Sequence, residues 1–232
     1  MKRLLLFDID GTLLSTDGAA RRAFHRALLH VYGTAGPIDD HAFDGKTDPQ
    51  IARELLGLAG LAHAQIDERL PELWAAYLDG LETELTATSH RTSVYPGVRE
   101  LLDALAQRSD VLLGLLTGNV ARGAELKLRS VGLHEYFAFG AFGSDAEQRT
   151  GLPQIAVERA RERTGVQFSG RDVVVIGDTP SDVRCGESLG VYTVAVATGR
   201  HGADELRAVG ADVVFEDLGD TRAVLRALLR DA

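Results

Sequence analysis

The chain has 232 residues, of which 45% are hydrophobic, with a formal charge of -9 and a single cysteine. That length and apolar content suit one large domain or two modest ones around a real core, and the acidic balance argues against a nucleic-acid surface, which needs basic patches. Cys185 alone excludes an internal disulfide framework and fits a reducing cytoplasm. The seven histidines, His90 among them, show no zinc-ligand spacing. The apolar run Leu4–Phe7 is too short for a signal sequence, and no membrane span is visible.

The first element is Leu4-Leu5-Leu6-Phe7-Asp8-Ile9-Asp10-Gly11-Thr12, an apolar run of strand length that stops at two carboxylates and a glycine. It reads as a buried strand delivering acids to its carboxyl end. Asp8 and Asp10 alternate, so on an ideal strand they share one side, and a magnesium ion would relieve their repulsion. The competing reading is a plain polar turn closing a core strand.

For about eighty residues after Leu14 the pattern is helical. A stripe of Ala20, Ala23, Phe24, Ala27, Leu28 and Val31 predicts a helix over 19–32, ended by Gly33. Asp48-Pro49 predicts a second helix to Gly57, with Asp48 placed as its cap and Pro49 in its first turn. A third covers 66–85, with Pro71 as a kink or a new start and Trp74, Tyr77, Leu78 and Leu81 on its buried face. Residues 14–93 are therefore expected to form an inserted helical domain, and 1–13 with 94–232 the core.

From Tyr95-Pro96-Gly97 onward helix and strand alternate. Helices are expected at 97–107, 120–131, 152–164, 180–189, 203–209 and 219–229, and strands at 111–116, 137–141, 172–176, 191–197 and 212–215. With the first strand this makes six, and strands alternating with helices imply a parallel sheet covered on both faces by right-handed crossovers.

Ligands of such sheets sit at the carboxyl ends of strands. The second strand ends in Thr117-Gly118-Asn119, whose following helix offers backbone N–H groups to an anion, although Thr117 or Asn119 can equally cap that helix. The fourth ends in Gly177-Asp178-Thr179-Pro180-Ser181-Asp182. Thr179 and Pro180 can open a helix with Asp182 in its first turn, but capping does not explain Asp178, which is placed to join Asp8 and Asp10 on a metal. The three clusters converge if the first strand lies between the second and fourth, giving a Rossmann-like order 3-2-1-4-5-6.

Together Asp8-Ile9-Asp10-Gly11-Thr12, Thr117-Gly118-Asn119 and Gly177-Asp178-Thr179-Pro180-Ser181-Asp182 resemble motifs one, two and four of the haloacid dehalogenase-like hydrolases, across the whole chain. The inserted helices resemble the helical cap of that superfamily's phosphoglycolate-phosphatase-like members. The resemblance implies Asp8 as the nucleophile of an aspartyl-phosphate route and Asp10 as general acid/base. It implies magnesium held by Asp8, the Asp10 carbonyl and Asp178, with Asp182 in support and Thr117, beside Gly118 and Asn119, binding phosphate.

The usual third-motif lysine is missing. Lys127 stands about 10 Å into a helix and is expected to point away from the active edge, so Arg149 is assigned that lysine's role toward Asp8 and phosphate. In Asp44-Gly45-Lys46-Thr47-Asp48, Lys46 is expected to read the substrate's far end. The implied protein is a cytoplasmic, magnesium-dependent phosphatase of a small phosphorylated metabolite, phosphoglycolate or a sugar phosphate, with no nucleic-acid or membrane partner and an open oligomeric state. The alternatives are a phosphomutase, a haloacid dehalogenase, which would not need the metal site, and a phosphoaspartate signalling module, which the length and cap disfavour.

Overall fold

Leu4, Leu5, Leu6 and Phe7 have no exposed surface, and they form the body of β1 (Arg3–Phe7), the strand around which the sheet of this computed structural model is built. The structure describes residues 3–87 and 91–229, so 1–2, 88–90 (with His90) and 230–232 lie outside it. β1 pairs in parallel with β4 (Val111–Thr117) on one side and β6 (Val173–Gly177) on the other. With β5 (Gly140–Phe142), β7 (Tyr192–Val196) and β8 (Val213–Phe215) the order is β5-β4-β1-β6-β7-β8. Counting only these six strands, this is the expected 3-2-1-4-5-6.

Side chains alternate across the sheet, so β1 feeds two cores. Leu5 and Phe7 pack toward α4 (Val98–Ala106) and α9 (Thr221–Leu229), together with Ala124 and Leu128 of α5 (Ala121–Ser130). Leu4 and Leu6 pack toward α6 (Leu152–Thr164) through Leu152, Ala156 and Ala160. Because both faces are covered, the strand needs no polar side and reads as a continuous apolar run.

The segment between β1 and α4 contributes α1 (Ala19–Tyr32), α2 (Asp48–Leu58) and α3 (His63–Ala87). They share an apolar cluster of their own, including Phe24, Leu28, Ile51, Leu55, Leu73, Tyr77 and Leu81. The Phe24 and Tyr77 rings meet edge to face at 5.1 Å, the arrangement their quadrupoles favour. Val120 and Leu126, from the sheet domain's side, complete this cluster. A two-strand antiparallel ladder, β2 (Leu14–Ser15) with β3 (Ser93–Val94), ties the two ends of the segment together. The sequence gives no alternation long enough to announce it.

The strand expected at 137–141 is found later, at Gly140–Phe142, and three helical expectations are also corrected. α3 runs through Pro71 with no new start, because Ile66 and Leu73 on either side of the proline are both buried in the same cluster, and that packing outweighs a proline's cost of roughly 3 kcal/mol. Thr47, not Asp48, caps α2, its hydroxyl accepting from the Gln50 N–H at 3.2 Å. α7 (Pro180–Cys185) is shorter than the expected 180–189. It gives way at Gly186, where a Cβ would lie 2.2 Å from Val191, so the chain is already turning back toward β7.

Candidate functional site

At the carboxyl ends of β1 and β6 the chain must leave a fully buried strand, and acids mark both exits. The Asp8 N–H is still in the ladder, donating to Ile176 O at 2.9 Å, so its position is fixed by the sheet. Asp178 follows β6 directly and accepts from the Thr12 hydroxyl at 3.0 Å. Gly11 and Gly199 press against it: a Cβ on either would come within 2.2 and 1.8 Å of its carboxylate. Asp182 reaches back from the first turn of α7. Oxygens of Asp8, Asp178 and Asp182 lie within 4.8 Å of one another, all three residues being buried. Burial raises the pKa of Asp178 well above the carboxylate range, and the charges of Asp182 and Asp8 raise it further. Asp8 is raised too, by burial first and then by Asp182 and Asp10, against the pull of Arg149.

Both sequence readings of Thr179–Asp182 hold at once. Thr179 and Asp182 form a reciprocal capping box, with Asp182 Oδ2 accepting from the Thr179 N–H at 3.0 Å and hydroxyl at 2.6 Å. Asp182 Oδ1 accepts from Arg149. With both oxygens engaged, Asp182 is suited to support, while Asp8 and Asp178 keep oxygens for a cation.

Arg149 is buried beneath the cluster. Its Nη2 lies against Asp182, 3.3 Å from Asp8 Oδ1 and 3.4 Å from Leu116 O. Burial opposes its charge, but Asp182 and Asp8 hold its pKa above the ordinary value. Its Nε is buried and has no hydrogen-bond partner among the described residues, an unsatisfied donor that costs free energy. Cys185, three residues after Asp182 in α7, donates to Asp182 O at 3.2 Å and its thiol is pushed up to about 12 by burial; it packs and does not react.

Lys127 overturns the expectation set for it. Its side chain is 4% exposed, and Nζ donates to Asp10 Oδ1 and Oδ2 at 2.8 and 2.6 Å and to Asn119 Oδ1 at 2.6 Å. Asn119 Nδ2 in turn donates to Asp10 Oδ2 at 2.7 Å and Thr117 Oγ1 at 2.8 Å. Axial distance alone misled: Cα–Cβ bonds tilt toward a helix's N-terminus, and a four-carbon stem leaning that way recovers most of two turns. A signal was available in the sequence, since Lys127 stands between Leu126 and Leu128 and three residues after Ala124, on a stripe that proves buried. The carboxyl of Asp10 therefore does not join the cluster of Asp8, Asp178 and Asp182.

These groups open into one cavity of about 560 Å³ between the strand ends and the inserted helices. The loop before α2 meets the sheet closely: Asp48 N–H donates to Gly118 O at 2.8 Å, Thr47 Oγ1 to Glu147 O at 2.5 Å, and Val120 N–H to Asp48 Oδ2 at 2.8 Å. Gly118 is required here, because a Cβ would sit 2.0 Å from Lys46 O. Burial pushes Asp48 up to about 6 despite nearby Lys127. Lys46 lines the cavity, yet its ammonium is 2.5 Å from Glu54 and 3.2 Å from the His41 ring, so its charge is already answered.

The donor set fits a hard divalent cation. Carboxylates raised by burial first and by mutual repulsion second, with a single guanidinium beside them, are stabilised by added positive charge, and magnesium takes oxygen ligands of this kind from one or two carboxylates. No described helix is long and apolar enough to cross a membrane.

A family model described as haloacid dehalogenase-like hydrolase matches residues 5–196. A phosphoglycolate phosphatase of Pseudomonas putida is 28% identical over 225 residues, covering 94% of this chain and 78% of that protein. A pyrophosphatase, PpaX, of Halalkalibacterium halodurans is 27% identical over 220 residues, covering 93% of each. The crystal structure of a hydrolase from Pseudomonas syringae superposes with a TM-score of 0.71 at 21% identity, over 97% of this chain and 98% of that one. Since the matched span holds β1 with Asp8, the turn after β4, Arg149 and the Asp178–Asp182 turn, the chain belongs to the haloacid dehalogenase-like hydrolases.

Proposed function

We propose that this phosphatase hydrolyses small phosphate monoesters, of the phosphoglycolate or sugar phosphate type, through a covalent intermediate on Asp8 with magnesium bound. The observation that carries the reading is the buried gathering of Asp8, Asp178 and Asp182 beside Arg149, which lines the same cavity. Asp8, Asp178 and the main-chain carbonyl of Asp10 would hold the ion, which when bound neutralises carboxylate and phosphate charge. Residues 14–93 act as a cap over the 1–13 and 94–232 core, and the contacts of Thr47 and Asp48 with the sheet close the cavity to bulk water during the first step.

In that step an Asp8 oxygen attacks phosphorus, the bond from phosphorus to the ester oxygen breaks, and that oxygen takes a proton from the Asp10 carboxyl. In the second step Asp10 takes a proton from water as the water attacks phosphorus, and the bond to Asp8 breaks to release phosphate. Arg149 and the Thr117 turn orient the phosphoryl group, and Asp182 holds Arg149 in place. Lys127 and Asn119 fix the direction in which the Asp10 carboxyl points.

Three measurements test this reading. Across a panel of phosphate esters, phosphate release is expected with magnesium and to fall at least ~100-fold with chelator; undiminished release in chelator would remove the metal from the reaction. A coupled search for phosphorylated product separates hydrolysis from a mutase. Lys127→Met is expected to lower kcat for an alkyl phosphate by about 10²-fold with a much smaller effect on p-nitrophenyl phosphate, whose leaving group departs without a proton. An equal loss on both substrates would mean that Lys127 serves the fold and not Asp10.

A further inference from the structure

Five cationic side chains line the cavity: Arg21, Lys46, Lys127, Arg149 and Arg200. Four of them face carboxylates: Lys46 with Glu54, Lys127 with Asp10, Arg149 with Asp8 and Asp182, and Arg200 with Asp44 at 3.0 Å. Arg21 alone has no carboxylate partner among the described residues. Its Nη2 donates to the main-chain carbonyls of Ile38 and, at 2.8 Å, His41, and its Cζ stands 4.3 Å from the centre of the Phe43 ring. The guanidinium is thus held by one corner and one face, while Nε and Nη1 make no hydrogen bond among the described residues. Phe24, Phe43, Ile51 and Tyr77 line the same part of the wall, and apolar neighbours strengthen any ion pair formed there.

We propose that Arg21 binds a second anionic group of the substrate, a carboxylate or a further phosphoryl group carried on the alcohol. This rests on the phosphatase reading above and specifies its substrate class: the phosphate is held among Asp8, Arg149 and Thr117 on the sheet side, and the far end is held from α1. The sequence assigned this task to Lys46, whose charge Glu54 already answers. Arg21 is held by neutral carbonyls, which position a guanidinium without cancelling it, so an incoming anion gains the full pair. An alcohol with no charge at its far end would leave Arg21 uncompensated beside apolar walls.

The test uses the full chain with magnesium and three non-hydrolysable ligands in calorimetric titrations: propylphosphonate, 3-phosphonopropionate and propane-1,3-bisphosphonate. The wild type is expected to bind one of the doubly anionic ligands at least about tenfold more tightly than propylphosphonate, and Arg21→Gln to bring that ratio to within about twofold. Which of the two is preferred distinguishes a carboxylate from a phosphoryl group. Equal binding of all three by the wild type overturns the proposal. So does a preserved ratio in Arg21→Gln, because a purely structural role through the Ile38 and His41 carbonyls would weaken all three ligands alike. Turnover of p-nitrophenyl phosphate by the wild type reports separately on the hydrolytic reading: activity without the ratio sinks the Arg21 assignment alone, and neither activity nor binding sinks both.

Discussion

Asp8→Asn is expected to reduce phosphate release from every ester by at least roughly 10⁴-fold while leaving a folded and more stable protein. The two effects have one origin. Asp8 is buried where Asp182 and Asp10 repel its charge, so the ionised form needed for attack costs folding free energy. Asparagine keeps the shape and removes the charge. In metal-free protein at pH 7.5 the variant should gain ~1–2 kcal/mol, a few degrees in Tm. The pH dependence fixes the sign. With its pKa raised from 3.8 to about 6, folded Asp8 keeps a proton that the unfolded chain has released. Stability therefore falls as pH rises through that window, and the gain of Asp8→Asn should vanish near pH 4. Activity retained in Asp8→Asn would refute the covalent route; a variant less stable than wild type at pH 7.5 would show that Arg149 outweighs the repulsion.

Arg149→Met should be costly on both counts. Removing the guanidinium leaves Asp182 and Asp8 buried with no fixed cation between them, and breaking a buried pair from one side costs about 3–5 kcal/mol, which for a chain of this size lowers Tm by roughly 10 °C. The protein that remains folded should lose about 10²–10³ in kcat, because the guanidinium charge is no longer beside the phosphoryl oxygens. Arg149→Lys restores charge without the planar fork, so it should recover most of the stability and a part of the rate. Thermal melts at matched magnesium and steady-state kinetics on p-nitrophenyl phosphate separate the two. Wild-type melting and turnover in Arg149→Met would mean that this arginine neither balances the carboxylates nor contacts substrate.

The two variants are expected to move stability in opposite directions because the site is a set of like charges held in a dry place. A fold gathers such a set only where something else repays it, and here the repayment is chemical. The same tension appears at Lys127, a buried ammonium whose partners are Asp10 and Asn119, and at Arg21, the one cavity cation with no acid of its own among the described residues.

Apolar run-lengths and turn residues were enough to read the sheet order, both faces of the core and the strand-end positions of Asp8, Thr117 and Asp178, because these follow from short-range rules: buried parallel strands are continuously apolar, and ligand residues sit where such strands end. Lys127, Lys46 and Arg21 did not yield to that reasoning. What each cation does depends on which carboxylate lies within a few ångströms, and those neighbours come from elements that meet only when the chain closes: Lys127 on α5 with Asp10 after β1, Arg149 with Asp182 from α7. Sequence by itself determined where the acids stand; the tertiary structure decided which positive charges they neutralise and which one they leave over, because Coulomb interactions are set by distance through space and burial, not by separation along the chain.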